Sequence, residues 1–260
     1  MYCLNKSEMH QIAPLFEGWD ETLIWSCLQG HMGNAWVDKP EHPHSAQIIT
    51  GVFCFYAGIP HIQLVRNIPE NFASPFILAV PQNEAWAQMI EKVHPTSERF
   101  MRYAIKKEPG VFNPEKLREN VRKLDENYSI QPIDEALYHK IREYDWTRDL
   151  CSQFPTYEAF KTIGMGFVVL HQGEIVCGAS SYTVYDGGIE IEIDTHENYR
   201  RQGLALACAS RLILECLDRN LYPSWDAANK ASVALAEKLG YHFEREYVTY
   251  YVALPRNEEA

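Results

Sequence analysis

The stretch GFVVLHQGEIVCGASSYTV, which begins at Gly166, constrains the fold more than any other. Two apolar, β-branched runs meet at Gln172-Gly173, the pattern of a two-residue β-hairpin. Upstream, YSIQPI reads as a short strand, and Asp134 caps a helix carrying Leu137, Ile141 and Tyr144. Downstream, GGIEIEID at 187–194 is a further strand, and a helix runs from Leu204 to about Asn220. LYPSWDA is a short buried strand. A helix at 229–239 ends at Gly240, a residue that tolerates the left-handed backbone of a helix end. YHFEREYVTYYVAL reads as two terminal strands. Hairpins followed by strand–helix–strand–helix–strand predict an α/β (α+β) fold, a mixed, mostly antiparallel sheet with helices on both faces.

The first half is less regular. Helical signals cover 11–28, and strand-like runs are AQIITGVFCFYAG at 46–58 and PFILAVP at 75–81. Asn83 caps a helix over 83–93, and RFMRYAIKKEP at 99–109 alternates like a strand. In NPEKLRENVRKLDEN, Asn113 caps, Pro114 suits the first turn, and Leu117, Val121 and Leu124 form one apolar stripe. The end of this helix near Asn127 sets the expected division into an N-terminal α/β region, 1–127, and a second domain, 128–260. GVFCFYAGIP near Gly51 resembles GFVVLHQGEIV near Gly166 in pattern, so the N-terminal region is expected to be a degenerate repeat of the second domain.

Between the strand at 187–194 and the helix at Leu204 stands NYRRQGLALA. A helix start carries unpaired N–H groups and a partial positive charge. Gly203 allows a ligand to approach the backbone, and Ala205 and Ala207 keep the next turn slim. Such a turn can hold a pyrophosphate; taken alone it is equally an ordinary basic loop before a helix. G-x-x-x-x-G-K-[ST] does not occur, and GMGF at Gly164 lacks the third glycine of a dinucleotide fingerprint.

IDTHENYRRQGLA, 193–205, resembles the acetyl-CoA motif of the GNAT N-acetyltransferase superfamily, with Arg200, Gly203 and Ala205 in its defining positions. NKASVALAEKLGY, 229–241, resembles that family's second motif through Asn229, Ser232, Leu235, Glu237, Lys238, Leu239, Gly240 and Tyr241. The resemblance covers roughly 128–254. The wording of both motifs is similar to the branch that includes bacterial zwittermicin A resistance acetyltransferases. The resemblance implies that the backbone amides of Arg201, Gln202, Gly203, Leu204 and Ala205 hold the pyrophosphate of acetyl-CoA. It implies that Ile193 and Thr195 pair with the pantetheine arm, and that Asn229 and Ser232 lie near the pantetheine or phosphate end. The strand bearing Trp225 and Asp226 is expected to splay away to admit the thioester, and the N-terminal region to wall the acceptor cleft.

In GIEIEID, Ile189, Ile191 and Ile193 point one way and Glu190, Glu192 and Asp194 the other. An acidic row on an inner strand is solvent-facing, or paired with Arg or Lys, or lines an acceptor site. In the last case it binds an ammonium and removes its proton. A simple alkyl amine of pKa about 10.4 is free base at roughly one part in 10³ at pH 7, so a general base is needed. Glu192 is the first candidate and Glu190 the second. Many family members carry a tyrosine at the place held here by Ala236. The departing thiolate is then protonated by another group, with Ser232, Tyr241 and Tyr247 as candidates, or leaves unassisted. The implied reaction is acetyl transfer to a primary amine of a small polar molecule, an aminopolyol antibiotic being one candidate. Acetylation of a protein lysine or N-terminus, and non-catalytic acyl-CoA binding, remain alternatives.

Composition narrows the partners. A net charge of −11, from 35 acidic and 24 basic residues, disfavours nucleic acid and anionic membrane surfaces. Seven scattered cysteines without C-x-x-C argue against a disulfide framework or a zinc site, and no H-E-x-x-H occurs, so no metal is expected. No apolar run approaches the ~20 residues of a membrane span. Met1–His10 lacks a signal-peptide pattern, and a reduced cytoplasmic compartment is expected. Trp19, Trp25, Trp36 and Trp86 read as core or domain-interface residues, and Cys208 and Cys216 as helix packing.

Overall fold

A computed structural model describes residues 1–255. The chain forms two compact units: Met1–Arg102 together with the chain from Glu246 onward, and Tyr103–Arg245.

In the first unit the elements are β1 (Tyr2–Cys3), α1 (Thr22–Leu28), β2 (Asn34–Val37), β3 (Ser45–Thr50), β4 (Phe53–Gly58), α2 (Ile62–Arg66), β5 (Phe76–Pro81) and α3 (Glu84–Val93). β6 (Glu98–Ile105) carries the chain into the second unit. There follow α4 (Pro114–Arg122), β7 (Tyr128–Pro132), α5 (Glu135–Glu143), α6 (Tyr157–Ile163), β8 (Gly166–His171), β9 (Glu174–Tyr185) and β10 (Gly188–Thr195). Then come α7 (Leu204–Asp218), β11 (Tyr222–Ser224), β12 (Asp226–Ala227), α8 (Lys230–Leu239) and β13 (Phe243–Ala253).

Strands β1 to β4 of the first unit pair antiparallel in sequence order, β4 pairs parallel with β5, and the C-terminal part of β13 runs antiparallel to β5. Its core gathers Tyr56, Leu64, Ile77, Trp86, Ile90 and Tyr250, with the Tyr56 and Trp86 rings stacked at 5.3 Å. In the second unit β7, β8, β9 and β10 pair antiparallel, and β10 pairs parallel with β11. α7 packs across β8, β9 and β10. It turns Leu212, Ile213, Cys208 and Cys216 inward, as an apolar helix against a sheet must. The β8–β9 turn is the expected one: Gln172 and Gly173 both have positive φ, 52° and 83°, which matches the twist of the flanking strands.

Several expectations are corrected. The run at 11–28 is not one helix: Lys6–Gln11 and Ala13–Phe16 are 3₁₀ turns, and only Thr22–Leu28 is α-helical. Pro14, with no N–H to donate, interrupts it. The run at 46–58 is two strands, β3 and β4, folded back on each other. LYPSWDA is likewise two strands, because β11 pairs with β10 whereas β12 pairs with β6. The terminal segment is one 11-residue strand, not two. The compact units divide at 102/103 and 245/246, whereas the sequence placed one boundary after Asn127. The charged helix α4 packs on α7 through its apolar stripe, with Leu117 buried, so it belongs to the second unit.

Six cysteines are buried and Cys3 is exposed. Burial pushes the Cys27, Cys54, Cys151 and Cys216 thiols up to about 12, which keeps them protonated and unreactive at neutral pH. Among the described residues no helix is long and apolar enough to cross a membrane.

Candidate active site

The site lies in the second unit, where β10 stops pairing with β11. Gly188, Ile189 and Glu190 face Tyr222, Pro223 and Ser224, and the parallel register ends there. β10 continues to Thr195 without β11 beside it. One local cause is visible: at Trp225 the chain turns to let Asp226 and Ala227 pair with Ala104 and Tyr103 of β6. On the opposite edge of β10 the β9 register shifts: Glu190 faces Thr183 but Ile191 faces Ser181, so Tyr182 is an extra residue. A bulge of this kind bends the ladder, here at the residue where β11 departs.

α7 begins beside the end of β10. Side-chain oxygens of Glu21, Asn83, Asn113, Asp134, Thr156 and Asn229 cap α1, α3, α4, α5, α6 and α8. α7 instead begins at Gly203, with φ 82° and no side-chain cap. The first helical backbone bond is donated by Ala207 N–H to the Gly203 carbonyl, 3.1 Å. The N–H groups of Leu204, Ala205 and Leu206 therefore lack an intrahelical acceptor, and a Cβ built on Gly203 would meet open space. Arg201 also has positive φ, 65°, so the loop is held in a conformation that L-residues seldom adopt. Side chains brace it. Arg200 Nε donates to the Thr195 carbonyl at 3.2 Å, and Tyr128 donates its hydroxyl to Gln202 Oε1 at 2.7 Å. A cavity of ≈ 330 Å³ lies next to the loop, lined by Gln202, Leu204, Tyr128 and His171.

The acids of β10 fall along the same strand. Glu190 is 5% exposed, while Glu192 and Asp194 are half-buried. None of the three is simply solvent-facing. Around Glu190 stand Thr183 and Ser224, its register partners, and the Tyr185 hydroxyl, which bonds Ser224 Oγ at 2.7 Å. The Thr183 hydroxyl is buried and has no hydrogen-bond partner. Glu192 faces Ser180, whose hydroxyl donates to the Leu150 carbonyl at 2.5 Å. Leu150 would collide with any Cβ on Gly178, so the 3₁₀ turn Arg148–Leu150 lies over this end of the acidic face. Burial raises the Asp194 carboxyl above its usual range. The Thr195 N–H, at 3.0 Å, and the Arg200 charge pull it back, and the charge of Asp149 pushes it further up. Trp146 meets His196 edge to face at 5.3 Å in the same region. Asp149 and Trp146 carried no sequence signal, because only tertiary packing brings their turn to β10, whereas His196 follows β10 directly in the chain.

Several residues of the second motif make structural contacts. Asn229 Oδ1 accepts from Ser232 N–H at 3.0 Å and caps α8, and Ser232 Oγ accepts from the Trp225 indole N–H at 3.0 Å. Tyr241 is buried and donates to the Pro223 carbonyl at 2.6 Å; burial raises its pKa well above the usual value. Ala236 is fully buried, so its position on α8 faces the core and not a cleft. Tyr247 lies on the part of β13 that belongs to the other unit. Ile193 faces Ala179, and Thr195 Oγ1 bonds Cys177 Sγ at 3.2 Å. Among the described residues no three His, Cys, Asp or Glu side chains come together as metal ligands.

A GNAT_acetyltran (GNAT acetyltransferase) family model covers residues 13–250. The uncharacterized N-acetyltransferase YdfB of Bacillus subtilis is 40% identical over 94 residues, which are 35% of this chain and 36% of YdfB. The chain thus matches about a third of that relative's length. A GCN5-related N-acetyltransferase-like protein from Streptococcus suis is 44% identical, covering 95% of this chain and 98% of that one, with a TM-score of 0.89. A tandem GNAT protein from the clavulanic acid biosynthesis pathway shares the fold at 11% identity and a TM-score of 0.52, over 86% and 84% of the two chains. The chain belongs to the GNAT acetyltransferase family.

Proposed function

We propose that this chain transfers an acetyl group from acetyl-CoA to a primary amine of a small polar molecule. The observation that carries the reading is a coincidence in space. The uncapped start of α7 at Gly203, the edge that β11 leaves beyond Glu190 and the acidic row of β10 all belong to one strand–loop–helix segment. The N–H groups of Arg201, Gln202, Gly203, Leu204 and Ala205 hold the pyrophosphate, since open donors at a helix start favour an anion. Ile193 and Thr195 offer backbone groups to the pantetheine arm along the edge that β11 leaves. Asn229 and Ser232 stand at the neighbouring helix start.

Acetyl-CoA supplies an activated thioester. The acids of β10 draw the cationic acceptor in, and Glu192, half-buried and therefore reachable, takes the ammonium proton. Glu190, deeper at the point where the strands part, is the second candidate base. The free amine attacks the thioester carbonyl, an N–C bond forms, the C–S bond breaks, CoA leaves as thiolate, and the second proton that the nitrogen sheds passes through solvent to that thiolate. The buried Ala236 gives that thiolate no acid from its position. The resemblance of both motifs to the branch with the zwittermicin A resistance acetyltransferases makes an aminopolyol the first acceptor to try.

The test is CoA release with acetyl-CoA and a panel of amines: aminopolyols, short diamines and lysine peptides. Saturable release with a small polyhydroxylated amine is the expected result. Release with lysine peptides alone replaces the acceptor class with protein. Tight acetyl-CoA binding without release on any amine overturns the enzymatic reading.

A further inference from the structure

We infer that a second cleft, at the far end of α7 from the acetyl-CoA loop, binds a small aromatic carboxylate. The cleft encloses ≈ 440 Å³ between α6 and the C-terminal half of α7, within the range of small-molecule sites. Ile133, Phe160, Met165 and Phe167 form its apolar wall. Lys161, Arg211 and Arg219 bring three positive charges to it against one carboxylate, Glu215. That surplus stands out in a chain of net charge −11, where chance placement favours acids.

The cations are pre-set. Glu215 accepts from Arg211 at 2.9 Å and from Arg219 Nε and Nη2 at 3.0 and 2.8 Å. One carboxylate thereby fixes two guanidinium groups and leaves each with unused N–H donors. The Arg211 guanidinium also lies 4.3 Å over the Phe167 ring, which orients it at the apolar wall. Lys161 takes part in no ion pair among the described residues, so its charge is available to a ligand. A planar apolar body along the Ile133 and Phe160 side of the wall, with one carboxylate between Arg211 and Lys161, satisfies the charge and the wall together. Arg211 is eight residues beyond Gly203, about 12 Å along the helix at 1.5 Å per residue. The two sites can therefore be filled at once.

The test titrates the full chain with phenylacetate, phenylacetamide and acetate, following backbone amide resonances by NMR. Phenylacetate is expected to shift the resonances of Phe160, Lys161 and Phe167 and to saturate. The amide lacks the charge and acetate lacks the ring, so each is expected to bind at least about tenfold more weakly, the amide through a lost charge-assisted contact and acetate through lost apolar burial. Lys161→Ala, at an exposed position that leaves the fold intact, is expected to weaken phenylacetate several-fold, and Arg211→Gln more. Saturating CoA is expected to leave the phenylacetate affinity unchanged. Equal binding of the amide, equal binding of acetate, no effect of Lys161→Ala, or displacement by CoA would each overturn the inference. The result is independent of whether the chain transfers acetyl groups.

Discussion

The two units share an order of strand, helix, three antiparallel strands, helix, a strand parallel to the one before it, helix and strand, to which the second unit adds α6 before β8 and β12 before α8. β4, α2 and β5 of the first unit correspond in order to β10, α7 and β11 of the second. They differ at the step that makes a site. β4 stays zipped to β5 from Phe53 to Tyr56, and Gln82 extends the closure by bonding the Tyr56 carbonyl and the Gly58 N–H. β10 leaves β11 at Glu190. β4 reads FCFYAG and carries no acid where β10 carries three. The five-residue α2 follows a Gly-Ile-Pro-His turn, where the 15-residue α7 follows Arg-Arg-Gln-Gly. In the first unit the closed parallel pair packs on aromatic core, with Tyr56 on Trp86 and the Trp86 indole donating to the Gly58 carbonyl at 2.9 Å. One topology thus keeps its parallel pair closed in the first unit and lets it part in the second.

The largest effect expected from breaking the difference is catalytic. Glu192→Gln keeps shape and removes the base, and should lower kcat by about 10²–10⁴ with little change in acetyl-CoA affinity. Glu190→Gln tests the second candidate in the same assay, and an unchanged rate in both variants removes the acidic row from the mechanism. Next in size is the closed counterpart. Trp86→Ala in the first unit should cost about 3–5 kcal/mol of stability in urea unfolding, because the indole is fully buried and hydrogen-bonded. A loss under about 1 kcal/mol would mean that the first unit is not held by this aromatic packing.

The helix starts give the third contrast. Gly203→Ala forces a Cβ on a residue with φ 82° and places it in the open space over the loop. About 1 kcal/mol of stability should be lost, and acetyl-CoA should bind roughly tenfold more weakly by calorimetry, an effect of about 1.4 kcal/mol. His61→Ala at the start of α2, also without a side-chain cap, should leave acetyl-CoA affinity unchanged. Equal loss in both variants would erase the distinction between the two starts.

These contrasts also mark what the sequence made legible. The β8–β9 hairpin, β10, α7 and α8 are local matters of turn residues, caps and apolar period, and they stand where the pattern put them. The acidic row was legible because alternation along a strand fixes its face. The departure of β11 was expected only from the family resemblance and had no local signal, since it depends on β12 choosing β6, a partner more than a hundred residues away. The bulge at Tyr182 and the turn with Asp149 over Asp194 are likewise tertiary. Leu117 and Val121 showed that α4 has an apolar face, but not that α7 is what it packs on. The terminal strand read as two because its aromatic run has no internal breaker to mark its true length.

The smallest effect expected concerns Asp194. Its carboxyl is raised chiefly by burial, against the pull of the Thr195 N–H and Arg200 and with the push of Asp149. A group whose folded pKa lies above its unfolded value contributes stability that is full below the unfolded pKa and is lost as pH rises through the folded one. Wild type should therefore lose stability relative to Asp194→Asn as pH climbs from the ordinary aspartate range through the raised value, and the gap should then stay level toward neutrality. Urea midpoints of the two proteins across pH 4–7 read this directly. Arg200→Ala should widen the gap, because it removes one of the interactions that favour the carboxylate. A gap that closes as pH rises would show the Arg200 charge outweighing burial. The acidic end of β10 would then be an ion pair holding the loop, and the contrast with β4 would rest on Glu190 and Glu192 alone.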